Sequence, residues 1–397
     1  MTPPVLANKR ISIIGAGPGG LVCARILQRR GLSVTVYERE ASEHSRGQGG
    51  SLDLHPDDGQ RALDAAGLLD QFFARARFDG QAMRQLGIDG SVRMSHEPDP
   101  DDTSAPEIDR GHLRDLLLHS LDAGTVQWGR ALESVEGADA GPRTLVFADG
   151  STVETDLVIG ADGAWSRVRR AVSDAVPLYS GVSFLEAWFD DVTVAHPELA
   201  ALVGAGSALA TDGDRALFAQ RNSGDHMRVY IVRRQPVDWL AMEGLVAEDA
   251  PGIRAHLLSE FSEWAPELRD LFAENDGDYV DRPLFVLPAP HVWAPSATVT
   301  LLGDAAHLMP PVGVGVNYAM LDGAELAIAL SESDSIERAL RTYEGTMIPR
   351  SSELATALEG NADFLLGMDG PPEFAEGEDP FGADGPGGFP GGFPGAR

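Results

Sequence analysis

The sequence predicts an α/β fold: a parallel, nucleotide-binding sheet domain, interrupted by an inserted antiparallel sheet and followed by a C-terminal helical segment. Three observations predict it. Residues 9–39 read strand, glycines, helix, strand, acid. Two further apolar strands, 157–159 and 297–302, run on to the aspartates Asp162 and Asp304. Between them, residues 182–286 change to strand-like runs with few helices.

The first unit is the most specific. Ile11, Ile13 and Ile14 give a short apolar strand, and Gly15, Gly17 and Gly20 follow at G-x-G-x-x-G spacing. Gly15 permits the tight turn, Gly17 lets the backbone approach a pyrophosphate, and Gly20 lets helix and strand pack closely. A helix over 21–30 ends at Gly31, and a second strand over 34–37 is closed by Glu38, which can accept hydrogen bonds from ribose hydroxyls. The glycine spacing alone is weak, because glycine-rich turns are common. The whole order points to a Rossmann-like domain holding a dinucleotide, without saying which one.

The chain continues with a polar loop over 41–51, an amphipathic helix over 59–72, and two short strands over 83–94 about the Asp89-Gly90 turn. The acidic run 97–106 reads as exposed loop. A helix over 109–121 takes Asp109 as N-cap and turns Leu113, Leu116, Leu117 and Leu121 inward. Short strands fill 126–156. Helices are expected over 250–272, 317–330 and 335–366, the last interrupted near Pro349. Residues 368–397 are Gly, Pro, Phe and acid without periodicity and read as a disordered tail. The expected division is a nucleotide domain of residues 1–176 and 287–331, an antiparallel-sheet domain of 177–286, a helical segment of 332–367, and the tail.

Composition narrows the function classes. The 31 Lys and Arg against 61 Asp and Glu give a net charge of −30, which disfavours nucleic acid and anionic membrane as partners. A single cysteine, Cys23, excludes an internal disulfide, a cysteine metal cluster and a dithiol pair; a small buried residue is its expected role. The histidines show no metal-ligand spacing, so no metal is expected. No apolar leader or membrane-length run is present, and a cytoplasmic monomer is expected. No second glycine fingerprint appears, which argues against a reductase with two nucleotide domains.

Three further pieces carry chemistry. Asp162-Gly163 follows a buried strand, where the acid serves either a structural turn or a ligand. Asp304 ends another strand, where a carboxylate can bond a ribitol or ribose hydroxyl, and Gly313 and Gly315 open a helix whose N–H groups can face an electron-rich carbonyl. Arg110 opens a helix and is placed either to reach a phosphate or to sit in solvent. His307 could be taken for a base, but the chemistry demands none and a packing role is expected.

Together GAGPGG with Glu38-Arg39, Arg110-x-x-Leu, DGAWSRVR and GDAAHLMPP resemble the FAD-dependent aromatic hydroxylases of the para-hydroxybenzoate hydroxylase fold. The nearest likeness is to the tetracycline-inactivating monooxygenases, and it runs to about residue 330. The resemblance implies FAD, with NADPH or NADH as a transient co-substrate and O2 as oxidant. A small aromatic or polycyclic substrate would be hydroxylated through a flavin C4a-hydroperoxide, and no side chain would carry the reaction itself. It implies Glu38 at the adenosine ribose, Arg39 by the adenine, Arg46 at the nicotinamide cofactor, Asp53 near the flavin and Arg110 at the phosphates. Asp162 and Gly163 would serve both cofactors, and Asp304 the ribitol or pyrophosphate. Gly313, Val314, Gly315, Val316 and Asn317 would offer backbone N–H groups to the flavin's pyrimidine edge.

Two departures stand out. The 311–317 loop is one residue shorter than in the tetracycline enzymes. Glu186 and Ser207 stand where those enzymes carry a substrate-binding Gln and Arg, which puts tetracycline in doubt as substrate. Phe184, Trp188, Leu217 and Phe218 are pocket candidates, with ordinary packing as the alternative. Two rival readings are a flavoprotein that binds an aromatic ligand without turnover, and a flavin halogenase, whose W-x-W-x-I-P motif is missing.

Overall fold

The computed structural model describes residues 6–45, 49–139 and 141–358. Arg46, the tail over 368–397 and the last residues of the helical segment lie outside the described residues. The βαβ unit forms as β1 (Ile11–Ile14), α1 (Pro18–Arg29) and β2 (Val34–Tyr37). Helix α1 begins at Pro18 rather than at residue 21, because proline's fixed φ and missing N–H suit a first helical turn. Next come β3 (Ser51–Asp53), α2 (Arg61–Ala66) and α3 (Leu69–Phe73). The single helix expected over 59–72 is broken where Gly67 takes a left-handed conformation (φ 69°) and ends α2.

The hairpin β4 (Met83–Leu86) and β5 (Val92–His96) precedes β6 (Glu107–Asp109) and α4 (Arg110–His119). Asp109 stands at the N-cap position, but its carboxylate accepts from the Ser223 N–H (3.3 Å) instead of capping α4. The strands β7 (Val126–Gln127), β8 (Leu132–Glu136), β9 (Arg143–Phe147), β10 (Thr152–Thr155) and β11 (Leu157–Gly160) follow. The changed region holds β12 (Leu178–Phe189), α5 (Val192–Ala195), α6 (Pro197–Val203), β13 (Ser207–Asp212), β14 (Arg215–Asn222) and β15 (His226–Arg234). It ends with α7 (Trp239–Met242), α8 (Ala250–Glu260), α9 (Pro266–Ala273) and β16 (Val280–Val286). The chain returns through β17 (Val299–Leu301), α10 (Asp304–His307), α11 (Gly315–Glu332) and α12 (Ile336–Ala357). Helix α12 runs through Pro349 without the expected break; the carbonyl that the proline ring crowds belongs to Gly345, whose backbone is free to yield.

A parallel sheet in the order β17-β11-β1-β2-β7 is the frame for the site. Its register pairs Ile14 with both Tyr37 and Gly160, and Gly160 with Leu301. Gly15, Glu38, Asp162 and Asp304 therefore emerge together beyond the carboxyl ends of the strands, where open α/β sheets bind ligands. The second sheet, β16-β12-β15-β14-β13-β4-β5, is antiparallel except where β4 joins β13. That join adds a hairpin from the first half of the chain to the later strands. One face of this sheet (Leu185, Ala187, Phe189, Val229, Ile231) is buried with Leu257, Phe261 and Phe272 from the helical side. The alternate residues form the other face.

Helices α1 and α11 cross at glycines. A Cβ on Gly19 would stand 2.3 Å from the Ala319 carbonyl oxygen, and one on Gly323 2.2 Å from that of Gly19.

Candidate active site

The glycine loop is shaped for a close ligand. Gly15 has φ 105°, and a Cβ there would strike the Ala161 carbonyl oxygen at 2.2 Å, so the turn admits no side chain. At Gly17 nothing lies within 4 Å of where a Cβ would be, which leaves the start of α1 open to an incoming anion. Gly20 packs against the Gly15 carbonyl, as close helix–strand contact requires. The buried Glu38 carboxylate accepts from the N–H groups of Ala16 (2.7 Å) and Glu40 (3.0 Å), which fixes it beside this loop, and Arg39 is exposed next to it. Arg114, which sequence reasoning missed, fastens the same region. It pairs with Glu40 (2.7 Å), donates to the carbonyls of Glu43 (3.1 Å) and Ala16 (3.4 Å), and lies 5.5 Å from the Trp128 ring centre. Only a helical position in a leucine-rich stretch hinted at it.

Asp162 is engaged by its own turn. One oxygen accepts from Ser166 Oγ (2.6 Å), the other from the N–H groups of Arg167 (2.6 Å) and Val168 (3.2 Å), while Gly163 takes φ 75°. Burial pushes this carboxyl up, against the pull of those bonds. The buried Arg169 ties this turn to α10, donating to the carbonyls of Ala164 (2.9 Å), Asp304 (3.0 Å) and Ala305 (2.8 Å).

Asp304 differs from the other acids. Protein surrounds it, yet it is reachable by solvent, so its carboxylate faces a recess. The surrounding protein pushes its carboxyl up, against the pull of His307, Arg110 and Arg169; solvent in the open recess moderates that push. Among the described residues, neither the Asp304 carboxylate nor the exposed Arg110 guanidinium has a hydrogen-bond partner.

The 313–317 loop is held from two sides. Gly313 has φ 89°, Val314 is buried, Gly315 begins α11, and Val316 packs on the core. Apart from the adjoining chain, no atom of the described residues lies within 4 Å of a Cβ position at Gly313 or Gly315. The buried Asn317 side chain accepts from the N–H groups of His55 (3.0 Å) and Gly59 (3.2 Å) and donates to the Asp53 carbonyl (3.0 Å). That side chain is occupied, so only the backbone of this loop is left for a ligand. Asp53 itself pairs with His55 Nε2 (3.0 Å). Behind the loop, the fully buried Asp322 accepts from the Gly303 N–H (3.0 Å), His307 Nε2 (2.6 Å) and Arg350 Nη2 (2.8 Å). His307 thus has the packing role expected of it. Burial works against its charge, but the Asp322 carboxylate raises its pKa.

The second sheet has a face turned away from its helices. Cross-strand register puts Phe184, Glu186 and Trp188 of β12, Arg228 and Tyr230 of β15, Phe218 and Gln220 of β14, and Ser207 of β13 on it. Leu217 points the other way, into the helical side, and is no pocket candidate; strand alternation separates it from Phe218. The sheet meets the first half where Gln220 donates to the buried Glu107 (3.2 Å), which also pairs with Arg77 (2.7 Å). A Cβ on Gly50 would lie 2.9 Å from the Tyr230 hydroxyl, so the strand leading to Asp53 passes directly over this face.

A family model described as an FAD binding domain matches residues 9–238 and 296–356. The chain is 31% identical over 402 residues to monooxygenase penA of Penicillium thymicola, covering 87% of this chain and 92% of that protein. It is 30% identical over 372 residues to 3-amino-4-hydroxybenzoate 2-monooxygenase of Streptomyces cremeus, covering 91% and 89%. The chain belongs to the FAD-dependent aromatic monooxygenases. Among solved structures, tetracycline destructase Tet(55) matches with a TM-score of 0.69 at 20% identity over 89% of each chain, a likeness of fold.

FAD suits what this monooxygenase offers: an open helix start at Gly17, an unpaired acid and arginine at Asp304 and Arg110, and room at Gly313 and Gly315. Among the described residues no acid, histidine and cysteine cluster could hold a metal ion, and no helix is long and apolar enough to cross a membrane.

Proposed function

We propose that the enzyme uses NADPH or NADH and O2 to hydroxylate a small, electron-rich aromatic or polycyclic compound, a phenol or enol, held between the 313–317 loop and the open face of the second sheet. The observation that carries this reading is the pairing of an unsatisfied Asp304 and Arg110 with an aromatic sheet face, Phe184, Tyr230 and Phe218, reached by the same β3 region. When bound, FAD supplies the redox chemistry, taking hydride and activating oxygen.

The chain's own residues bind and orient. Gly15, Gly17, Gly20, Glu38 and Arg39 take the ADP end of the cofactor, with Asp162 and Gly163 shaping the wall beside them. Arg110 takes a phosphate and Asp304 the ribitol or pyrophosphate; Asp53 lies near the flavin. The N–H groups of 313–317, at the positive end of α11, favour negative charge on the pyrimidine edge. Arg46 belongs to the segment where the reductant docks.

Tetracycline is not the substrate favoured here. The Glu186 carboxylate is already bound by Arg228 and Arg282, and Ser207 offers a buried hydroxyl where a cation would be needed. The test is NADPH oxidation by FAD-loaded protein against a panel of phenols and enols. At least one is expected to raise the rate above background and to gain one oxygen atom. Uniform background rates with bound ligand would point instead to a flavoprotein that sequesters its ligand.

A further inference from the structure

The pair of His307 and Asp322 is built more elaborately than packing requires. One atom, Asp322 Oδ2, accepts both from the Gly303 N–H (3.0 Å) and from His307 Nε2 (2.6 Å). Those two residues bracket the one-turn helix α10, which begins at Asp304. A single buried oxygen therefore holds both ends of the turn that carries the cofactor-facing acid. Gly303 takes φ 56°, and a Cβ there would stand 2.8 Å from the Ala319 Cβ, so the turn also lies directly on α11, the helix that bears Asp322. The second Asp322 oxygen accepts from Arg350 Nη2 (2.8 Å) of α12, whose Nη1 pairs with Glu325 (3.0 Å).

The charges follow this geometry. Burial works against a cation at His307, and the Asp322 carboxylate overcomes it, with a smaller pull from Asp304. Burial likewise works against charge on Asp322, and His307 and then Arg350 hold its carboxyl below the usual range. Asp304 and His307 stand three residues apart, as neighbours on one helical turn. Among the cations that oppose the rise of the Asp304 carboxyl, His307 pulls hardest, ahead of Arg110 of α4 and Arg169. The other titratable groups facing the pair add no competing cation. Burial pushes the Tyr318 and Tyr343 phenols up and the Asp58 carboxyl up, and it pushes His291 down. A histidine that only packed would need one hydrogen bond and no charge. A buried charge is costly unless it is paired, and Asp322 already has Arg350. The cation at His307 is better explained by what lies one turn away.

We propose that His307, held as a buried cation by Asp322, is a positioning residue for the cofactor, whose task is to keep Asp304 a carboxylate aimed into the recess. A carboxylate accepts from a ribitol or ribose hydroxyl about twice as strongly as a neutral acid does. The proposal rests on Asp304 being a contact of FAD.

Dilution of the holoenzyme between about pH 5 and about pH 8.5, with released FAD read by its fluorescence, tests it. Wild type is expected to lose affinity on the acid side, as Asp304 takes up a proton. His307→Gln, whose amide can still donate to Asp322, should move that acid limb up by about one pH unit, a ten-fold change in the ionisation of Asp304. Its affinity near pH 8.5 should change by less than about two-fold. Asp322→Asn should move the limb in the same direction, and in an Asp304→Ala background His307→Gln should move nothing further. In the unaltered enzyme, nitrogen NMR should find the His307 ring still charged at about pH 6.5, where an ordinary histidine is half neutral. An acid limb unmoved by His307→Gln, an equal loss of affinity at every pH, a shift that persists without Asp304, or a neutral His307 ring would each overturn the proposal. The ring measurement decides even if the variants do not fold. Failure of the underlying reading is separable: Asp304→Ala that holds FAD like wild type at every pH would take Asp304 out of the cofactor site. A weakened Asp304→Ala beside an unmoved His307→Gln would count against His307 alone.

Discussion

Replacing Gly323 with alanine adds one methyl group at the crossing of α1 and α11, the helices that present the glycine loop and the 313–317 loop. The new Cβ would stand 2.2 Å from the Gly19 carbonyl oxygen and 3.1 Å from its carbon, where ordinary contact begins at 3.4 Å. Two effects compete. Alanine is favoured over glycine inside a helix by about 1 kcal/mol. Overpacking costs about 1–3 kcal/mol, and the upper end applies here because a backbone carbonyl cannot rotate away as a side chain can. The net is a loss of roughly 1–2 kcal/mol, relieved only if the helices part by on the order of 1 Å. Parting them moves the two ends of the FAD site relative to each other, so cofactor affinity should fall more than apo stability does. Thermal melting with and without FAD, together with a fluorescence titration of FAD, separates the two effects. A Tm lowered by roughly 1–3 °C in the apo protein and FAD binding weakened by about ten-fold are expected. A Gly323→Ala protein that melts at or above wild type with unchanged FAD affinity would refute the close crossing and its link to the cofactor.

Asp304→Ala should weaken FAD binding by on the order of ten-fold or more, yet leave the apo Tm unchanged or slightly higher, because burial of the carboxylate outweighs the pull of His307, Arg110 and Arg169 and, among the described residues, it has no hydrogen-bond partner to lose; unchanged FAD affinity in a titration would remove Asp304 from the site. Glu107 gives a pH prediction. Burial, opposed by Arg77, pushes its carboxyl from the ordinary 4.5 up to about 7. A raised acid holds its proton more tightly when folded, so this contribution is present at low pH and is lost as pH rises from about 4.5 through 7. The shift of 7 − 4.5 = 2.5 corresponds to roughly 3 kcal/mol as an upper bound. Urea unfolding at pH 5 and pH 8 should show a steeper stability loss in wild type than in Glu107→Gln; parallel slopes would show that Glu107 is not the titrating group.

How far the molecule could be read from its sequence depended on whether the determinant was local. The glycine loop was legible because Gly15 and Gly17 act through the absence of their own side chains, and the frame strands because their apolar runs end at acids. The crossing of Gly19 with Gly323 was not, since it relates residues far apart in the chain. The same holds for Arg114 with Glu40, for Asp322 beneath His307, and for the two arginines on Glu186, none of which sits in a motif. Strand alternation located the second sheet but not its open side, which is set by where the helices lie; Leu217 and Phe218 are neighbours with opposite fates. Pro349 misled because the helix tolerates it above Gly345. The β4-β5 hairpin was foreseen, but not its attachment to β13, a pairing across sequence that no local pattern encodes.

The central claim is that FAD bound across the strand ends delivers oxygen to a ring on the open sheet face. It is tested most directly by turnover of the FAD-loaded enzyme with NADPH under isotopically labelled O2, using 4-hydroxybenzoate and a panel of phenols and enols, followed by mass spectrometry of the product. Incorporation of one labelled oxygen atom per product molecule, at a rate that falls with Asp304→Ala, is the predicted result. Protein that binds FAD and ligand but consumes NADPH without placing label in any product would contradict it.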